Sequence, residues 1–99
     1  MTEQVFELTG FQRDLLTVIA GLDQPSGQEV KEEMEKQHDD INHGRLYPNL
    51  DTLVEEGYVE KGQLDRRTNY YEVSDQGEQA LLNRRQWANS IVPELSSNS

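Results

Sequence analysis

Arg45 and Asn49 stand four residues apart, and Arg66 and Arg67 stand side by side in the stretch "DRRTNYYEV". Four residues is about one helical turn, so the first two share a helix face. A guanidinium can hold guanine O6 and N7 through two parallel hydrogen bonds, and a carboxamide can hold adenine N6 and N7 in the same way. An adjacent arginine pair at a hairpin tip can reach phosphate oxygens or enter a minor groove. The plainer alternative for Arg45 and Asn49 is a solvated helix surface, paired with Asp51 or Glu56. For Arg66 and Arg67 it is ordinary hairpin charge, an alternative weakened by how few cations the chain has.

Other polar groups surround these four. Asn42 can cap a helix or touch a phosphate, and both readings stand. Helical projection turns His43 towards the core side, where a buried or edge histidine competes with a DNA contact. Tyr47 is expected to pack through its ring and offer its hydroxyl to a phosphate. Lys61 could add a further phosphate contact. Arg84 and Arg85 are expected to balance carboxylates. "HDDINH" holds two histidines and two aspartates, but its spacing matches no strong metal site and it reads as a solvated helix end.

The charge of the whole chain opposes a nucleic-acid role at first sight. Nineteen acidic residues face nine basic ones, a formal net charge of -10 over 99 residues. Five acids and four bases between Ile41 and Tyr71 leave that window at -1 and the remainder at -9. An acidic surface of this kind suits a high-salt cytoplasm. At ~1 M salt the Debye length is about 3 Å, so distant carboxylates hardly repel phosphates and local charge decides. There are no cysteines, so disulfides and Cys-based zinc sites are excluded. No apolar run reaches membrane-span or signal length, and the expected location is cytoplasmic.

The elements that must position these groups follow from periodicity. Thr9 is expected to cap a first helix, with Phe11, Leu15, Val18, Ile19 and Leu22 on one stripe. Ser26 caps a second helix over "GQEVKEEMEKQHDD", whose apolar face is only Val30 and Met34. Asn42 opens a third, running to about Glu56 with Gly57 as its stop. Leu46, Leu50 and Leu53 form its buried face, and Arg45, Asn49 and Thr52 are expected roughly opposite. Pro48 sits inside it, where a proline tends to kink a helix. Tyr58 to Gly62 and Asn69 to Val73 read as strands around the loop "QLDRRT". Tyr70 and Tyr71 then point to opposite faces, one inward and one exposed. Ser74 caps a last helix bearing Ala80, Leu81, Trp87 and Ile91, with Leu82 beside the stripe. Trp87 reads as a dimer-interface anchor with Leu81 and Ile91, in preference to an effector-pocket wall.

Three helices and a hairpin make a mostly α chain with a small β hairpin, the winged helix-turn-helix plan, here with an extra C-terminal dimerisation helix. Residues 1–73 form the DNA-binding domain with its N-terminal arm (Met1 to Leu8), residues 74–92 the dimerisation helix, and residues 93–99 a disordered tail. The residues also carry a family likeness. "GRLYPNLDTLVEEGYVEKG" followed by "RRTNYYEVSDQGEQAL" closely resembles the PadR-like winged-helix transcriptional regulators. The matching features are Leu46-Tyr47-Pro48, Glu55-Glu56-Gly57, Tyr70-Tyr71, and Ser74 with Gly77. Its acidic version resembles the haloarchaeal members, among them regulators of the RosR kind linked to oxidative stress. Two departures stand out: "INHGR" replaces the family's small "S/T-x-G-T" start to the recognition helix, and the wing is short.

The resemblance implies a dimeric, sequence-specific transcriptional regulator on a pseudo-palindromic double-stranded DNA site, with recognition helices in successive major grooves. It names no small-molecule effector. No Ser/His/Asp or Cys/His set, glycine-rich phosphate loop or firm metal cluster is present in the sequence, so no enzyme, cofactor or metal is expected. The competing class is a protein-interaction winged helix without DNA binding, or an acidic DNA mimic.

Overall fold

The computed structural model describes residues 8–93. Helix α1 spans Gly10–Gly21, α2 Gly27–Met34, α3 His43–Glu55 and α4 Asp75–Ile91, with strands β1 (Val59–Gln63) and β2 (Asn69–Val73) between α3 and α4. The chain is mostly helical with one antiparallel hairpin, the winged-helix arrangement expected from the sequence. The N-terminal arm lies outside the described residues except for Leu8, which is buried in the core. The C-terminal tail lies outside them except for Pro93.

Each helix begins where a short polar side chain can accept from the backbone N–H three residues on. Thr9 and Ser26 form capping boxes with Gln12 and Glu29, and Asn42 and Ser74 accept from Arg45 and Gly77. The core is a single cluster. Phe11, Leu15, Leu16 and Ile19 of α1 meet Val30 and Met34 of α2, Leu46, Leu50 and Leu53 of α3, and Tyr58, Val59, Tyr71 and Ala80. The α1 stripe therefore runs through Leu16, with Val18 only half-buried and packed against the cluster.

Helix α2 is shorter than its polar run suggested. It ends at Met34, and the chain turns through residues 35–40 instead of continuing as helix. Two things end it. Ile41 is drawn into the core at 2% exposure. The Glu35 carboxylate accepts the Ile41 N–H at 3.0 Å while paired with Lys31 at 3.0 Å. The Ile41 N–H, then Lys31, hold that carboxyl below its ordinary value.

The hairpin pairs Val59 with Val73, Lys61 with Tyr71 and Gln63 with Asn69. β1 starts one residue later than expected, because the Tyr58 N–H closes onto the Leu53 carbonyl at the end of α3. Tyr71 is buried and its hydroxyl is held above its ordinary value by that burial. Tyr71 is thus the inward one of the pair, and Tyr70, on the other face, is half-covered rather than exposed because its ring lies across Gly62. The turn before α2 adds a bridge to β2: Ser26 pairs with Tyr70, and the Tyr71 N–H donates to the Pro25 carbonyl at 2.9 Å.

A compact joint ties the end of α3 to the end of the hairpin. Gly57 adopts φ 88°, a conformation that L side chains rarely take. The Ser74 hydroxyl donates to the Gly57 carbonyl, the Ser74 N–H donates to the Tyr58 carbonyl at 3.0 Å, and Gln76 donates to the Glu56 carbonyl at 3.2 Å. Gly77 lies so close that a Cβ there would sit 2.2 Å from the Tyr58 carbonyl oxygen. The serine-x-x-glycine start of α4 is the sequence trace of this joint.

Candidate nucleic-acid interface

Helix α3 buries Leu46, Leu50 and Leu53 and leaves the rest of its surface outward. Stepping about 100° per residue from that stripe, Gly44, Pro48 and Glu55 point most directly away from the core, with Asp51 and Thr52 about equally far to either side; Gly44, Pro48, Asp51 and Glu55 are exposed. Arg45 and Asn49 are turned from the position roughly opposite the core that the sequence suggested onto the flank facing α1, whereas Thr52 stays nearer to it. The Arg45 guanidinium lies over the Phe11 ring, 3.8 Å from its centroid, and stays exposed. Asn49 is half-buried: Gln12 Nε2 donates to its Oδ1 at 2.9 Å, and its Nδ2 donates to the Arg45 carbonyl at 2.7 Å.

The other flank faces α2. His43, projected towards the core side, is exposed and meets Tyr47 edge-on with ring centroids 5.5 Å apart. It is the first residue of α3, before the buried stripe begins, so no core neighbour covers it. Tyr47 packs its ring on Gly27: a Cβ at Gly27 would fall 2.6 Å from the Tyr47 hydroxyl. Asn42 is exposed, and its Oδ1 accepts the Arg45 N–H at 2.8 Å, so its side chain serves as the cap.

The wing tip is ordered by its backbone. Asp65 Oδ1 accepts the N–H groups of Arg67 and Thr68, each at 2.9 Å, and the Leu64 N–H donates to the Thr68 carbonyl at 2.8 Å. The Arg67 N–H leads the contacts that hold the Asp65 carboxyl below its ordinary value. Arg66 and Arg67 themselves are exposed, as is Lys61 on β1. Arg67, Thr68, Asn69 and Tyr71 share a cleft of about 370 Å³ with Tyr47 and the first turn of α2. A guanidinium, a phenol and a helix N-terminus around one cleft make a surroundings suited to an anionic oxygen.

Few of the cations are paired, and Arg13 on α1 and Arg85 on α4 have no ion pair among the described residues. Lys31 pairs with Glu35 and Lys36 with Glu33, and His38 contacts Asp14 at 3.0 Å. Arg45, Lys61, Arg66 and Arg67 form no ion pair among the described residues. No group of three or more His, Cys, Asp or Glu among those residues could hold a metal ion, and no helix there is long and apolar enough to cross a membrane.

At the far end, Gly77 and Ala80 bury one stripe of α4 against the domain. The same stripe continues to Trp87 and Ile91, which are 48% and 62% exposed. Leu81 packs partly against its own core, whereas Leu82 is exposed. Arg84 lies 5.2 Å from the centre of the Trp87 ring. Sequence reasoning missed Phe11 and Gln12 as partners of α3. Their spacing marks Phe11 only as core and Gln12 only as a cap, and nothing local reveals a contact with a residue 37 positions away.

Residues 15–83 match the transcriptional regulator PadR-like family. Among solved structures, RosR of H. salinarum grown from NaBr is 45% identical, with a TM-score of 0.80 over 85% of this chain and 76% of that one. The hsRosR–S1 complex gives 43% identity and a TM-score of 0.83 over 88% and 78%. A MarR structure shares the fold at 20% identity, with a TM-score of 0.70 over 97% and 71%. No curated protein sequence matches the chain.

Proposed function

The chain belongs to the PadR-like family of transcriptional regulators, and from that premise we propose that it acts as a sequence-specific DNA-binding homodimer adapted to high salt. The observation that carries this reading is the distribution of cations. Lys31 and Lys36 are paired with neighbouring carboxylates, while Arg45, Lys61, Arg66 and Arg67 stay unpaired and exposed on α3 and the wing among the described residues; Arg13 and Arg85 are also without an ion pair, but they stand singly on α1 and α4. In a chain of net charge -10, cations left without acidic partners on one side are suited to meet phosphates.

In this reading α3 enters the major groove. Arg45 and Asn49 reach base edges from the α1 flank, while His43, Tyr47 and Asn42 approach the backbone from the α2 flank. Arg66, Arg67 and Lys61 contact phosphate or the adjoining minor groove. The exposed continuation of the α4 stripe through Trp87 and Ile91 supports a partner copy on that helix, with Leu81 at its edge. Two copies related by a two-fold axis would read a pseudo-palindromic site. The likeness to RosR of H. salinarum supports the high-salt setting, and a cytoplasmic stress-response role is part of the same proposal.

One observation favours the competing protein-interaction reading: Asp51 and Glu55, two acids, are exposed on the outward side of α3. A genome-wide DNA pull-down of the wild type beside Arg66→Ala/Arg67→Ala separates the two. The DNA-binding reading expects specific recovery by the wild type and a large loss in the variant. Equal recovery by both would remove the wing from the interface, and no specific recovery by either would hand the function to a protein partner.

A further inference from the structure

Thr9, Gln12, Asn49 and Arg45 are joined by hydrogen bonds that all run in one direction. The Thr9 backbone N–H donates to Gln12 Oε1 at 3.1 Å. Gln12 Nε2 donates to Asn49 Oδ1 at 2.9 Å, and Asn49 Nδ2 donates to the Arg45 carbonyl at 2.7 Å. The two ends of a carboxamide are alike in shape, so its orientation has to come from its partners. Here both ends of the chain are backbone groups of single polarity, since an N–H only donates and a C=O only accepts. The Thr9 N–H calls for the oxygen of Gln12, which turns Nε2 towards Asn49. The Arg45 carbonyl calls for the nitrogen of Asn49, which turns Oδ1 towards Gln12. The two requirements meet at the Gln12–Asn49 contact and agree.

Resting on the proposed reading of bases by Asn49, we infer that Gln12 is a positioning residue for DNA specificity. It fixes the amide of Asn49 so that oxygen and nitrogen occupy defined places before DNA arrives. After these bonds, Oδ1 keeps a lone pair and Nδ2 keeps an N–H. That acceptor and donor are what adenine N6 and N7 require, and a flipped amide would present them in the reverse order. Fixing the rotamer beforehand also lowers the ordering cost of binding. The same turn of α1 holds Arg45 through Phe11, so the N-terminus of α1 braces both base-reading side chains.

The test is selection from a randomised duplex library in high salt, using wild type, Asn49→Ala, Gln12→Glu and Gln12→Ala. Glutamate at position 12 still accepts the Thr9 N–H, since threonine with glutamate three residues on is itself a capping box. It has no N–H to give Asn49. Asn49→Ala is expected to lose base preference at defined positions. Both Gln12 variants are expected to relax the same positions, by roughly tenfold, and to leave the others unchanged. Thermal melting of Gln12→Glu should match the wild type. The neutral Gln12→Ala separates this pattern from the effect of an added charge, which would weaken all sequences alike. Full wild-type preference at the Asn49 positions in both Gln12 variants would overturn the inference. So would an unchanged preference in Asn49→Ala, with wild-type enrichment leaving the DNA-binding reading intact. A wild type that enriches no sequence would overturn that parent reading and this inference with it.

Discussion

Helix α3 and the wing hold their exposed polar side chains in opposite ways. On α3, Arg45 is stacked on Phe11 and Asn49 is held at both ends of its amide. On the wing, Asp65 fixes the backbone of Arg67 and Thr68, while the guanidinium groups of Arg66 and Arg67 have no hydrogen-bond or ion-pair partner among the described residues. In the proposed reading the contrast matches the demands of two targets. A base edge offers donors and acceptors at fixed places, so a reader gains by being set beforehand. Phosphates offer diffuse charge with little directional demand, so a mobile arginine on an anchored loop suffices. On that reading the tertiary contacts fall where geometry would discriminate, and side chains are left free where charge alone would serve.

Both regions depend on the joint at Gly57, Tyr58, Ser74 and Gly77, and breaking it should have the largest effect. In Gly77→Ala the new Cβ would meet the Tyr58 carbonyl oxygen, a backbone atom, at 2.2 Å. Either α4 moves away or the start of the wing shifts relative to α3. Overpacking of this kind costs about 1–3 kcal/mol, and a backbone obstacle places it at the upper end. The melting temperature should fall by on the order of 10 °C or more. An unchanged melting temperature would show that the joint yields easily and does not set the angle between the two regions.

The next test sharpens the contrast itself. Asn49→Ala should cost about 1–3 kcal/mol on the preferred sequence and much less on others. Arg66→Ala/Arg67→Ala should weaken all sequences alike. It should also flatten the slope of log affinity against log salt by about 0.9 for each arginine that touches phosphate. The wild-type slope should itself be shallower than its phosphate contacts imply. The charge of -9 outside the near-neutral window repels DNA most at low salt, where screening is weakest. Binding isotherms over a salt series on matched and scrambled sites measure both. If the wing variant loses preference at particular bases, or Asn49→Ala weakens everything equally, the division of labour is wrong.

How much of this was legible in the sequence follows the range of each interaction. The caps at Thr9, Ser26, Asn42 and Ser74 depend on neighbours three residues away, and all four stand where local chemistry placed them. The Leu46–Leu50–Leu53 stripe and β2 were equally local. The end of α2 was not legible, because its own residues tolerate helix well. Burial of Ile41 and the reach of Glu35 end it, and both depend on where α3 comes to lie. The flank occupied by Arg45 and Asn49 was missed for a similar reason. The helical period gives the angle between residues but not which neighbour covers each flank. Phe11 and Gln12 meet Arg45 and Asn49 only because α1 crosses α3.

The smallest expected effect isolates the fixed half of the wing from its free half. The Asp65 carboxyl is held below its ordinary value of 3.8, chiefly by the Arg67 N–H. A carboxyl depressed in the folded state stabilises that state fully above its unfolded value, and the contribution is lost as pH falls through the depressed folded value. The turn should therefore remain ordered throughout the ordinary carboxylate range and loosen only below it. Amide signals of Arg67 and Thr68, followed by NMR while core methyl signals stay native, should hold steady down to the ordinary value and then titrate together. Asp65→Asn keeps an oxygen for the same two N–H groups and has no charge to lose, so its amide signals should not titrate. It also removes a negative charge beside Arg66 and Arg67, so DNA affinity should rise slightly at low salt and converge with the wild type at high salt. An Arg67 amide that titrates at or above 3.8 would mean that Asp65 does not anchor the loop, leaving the wing mobile in backbone as well as side chain.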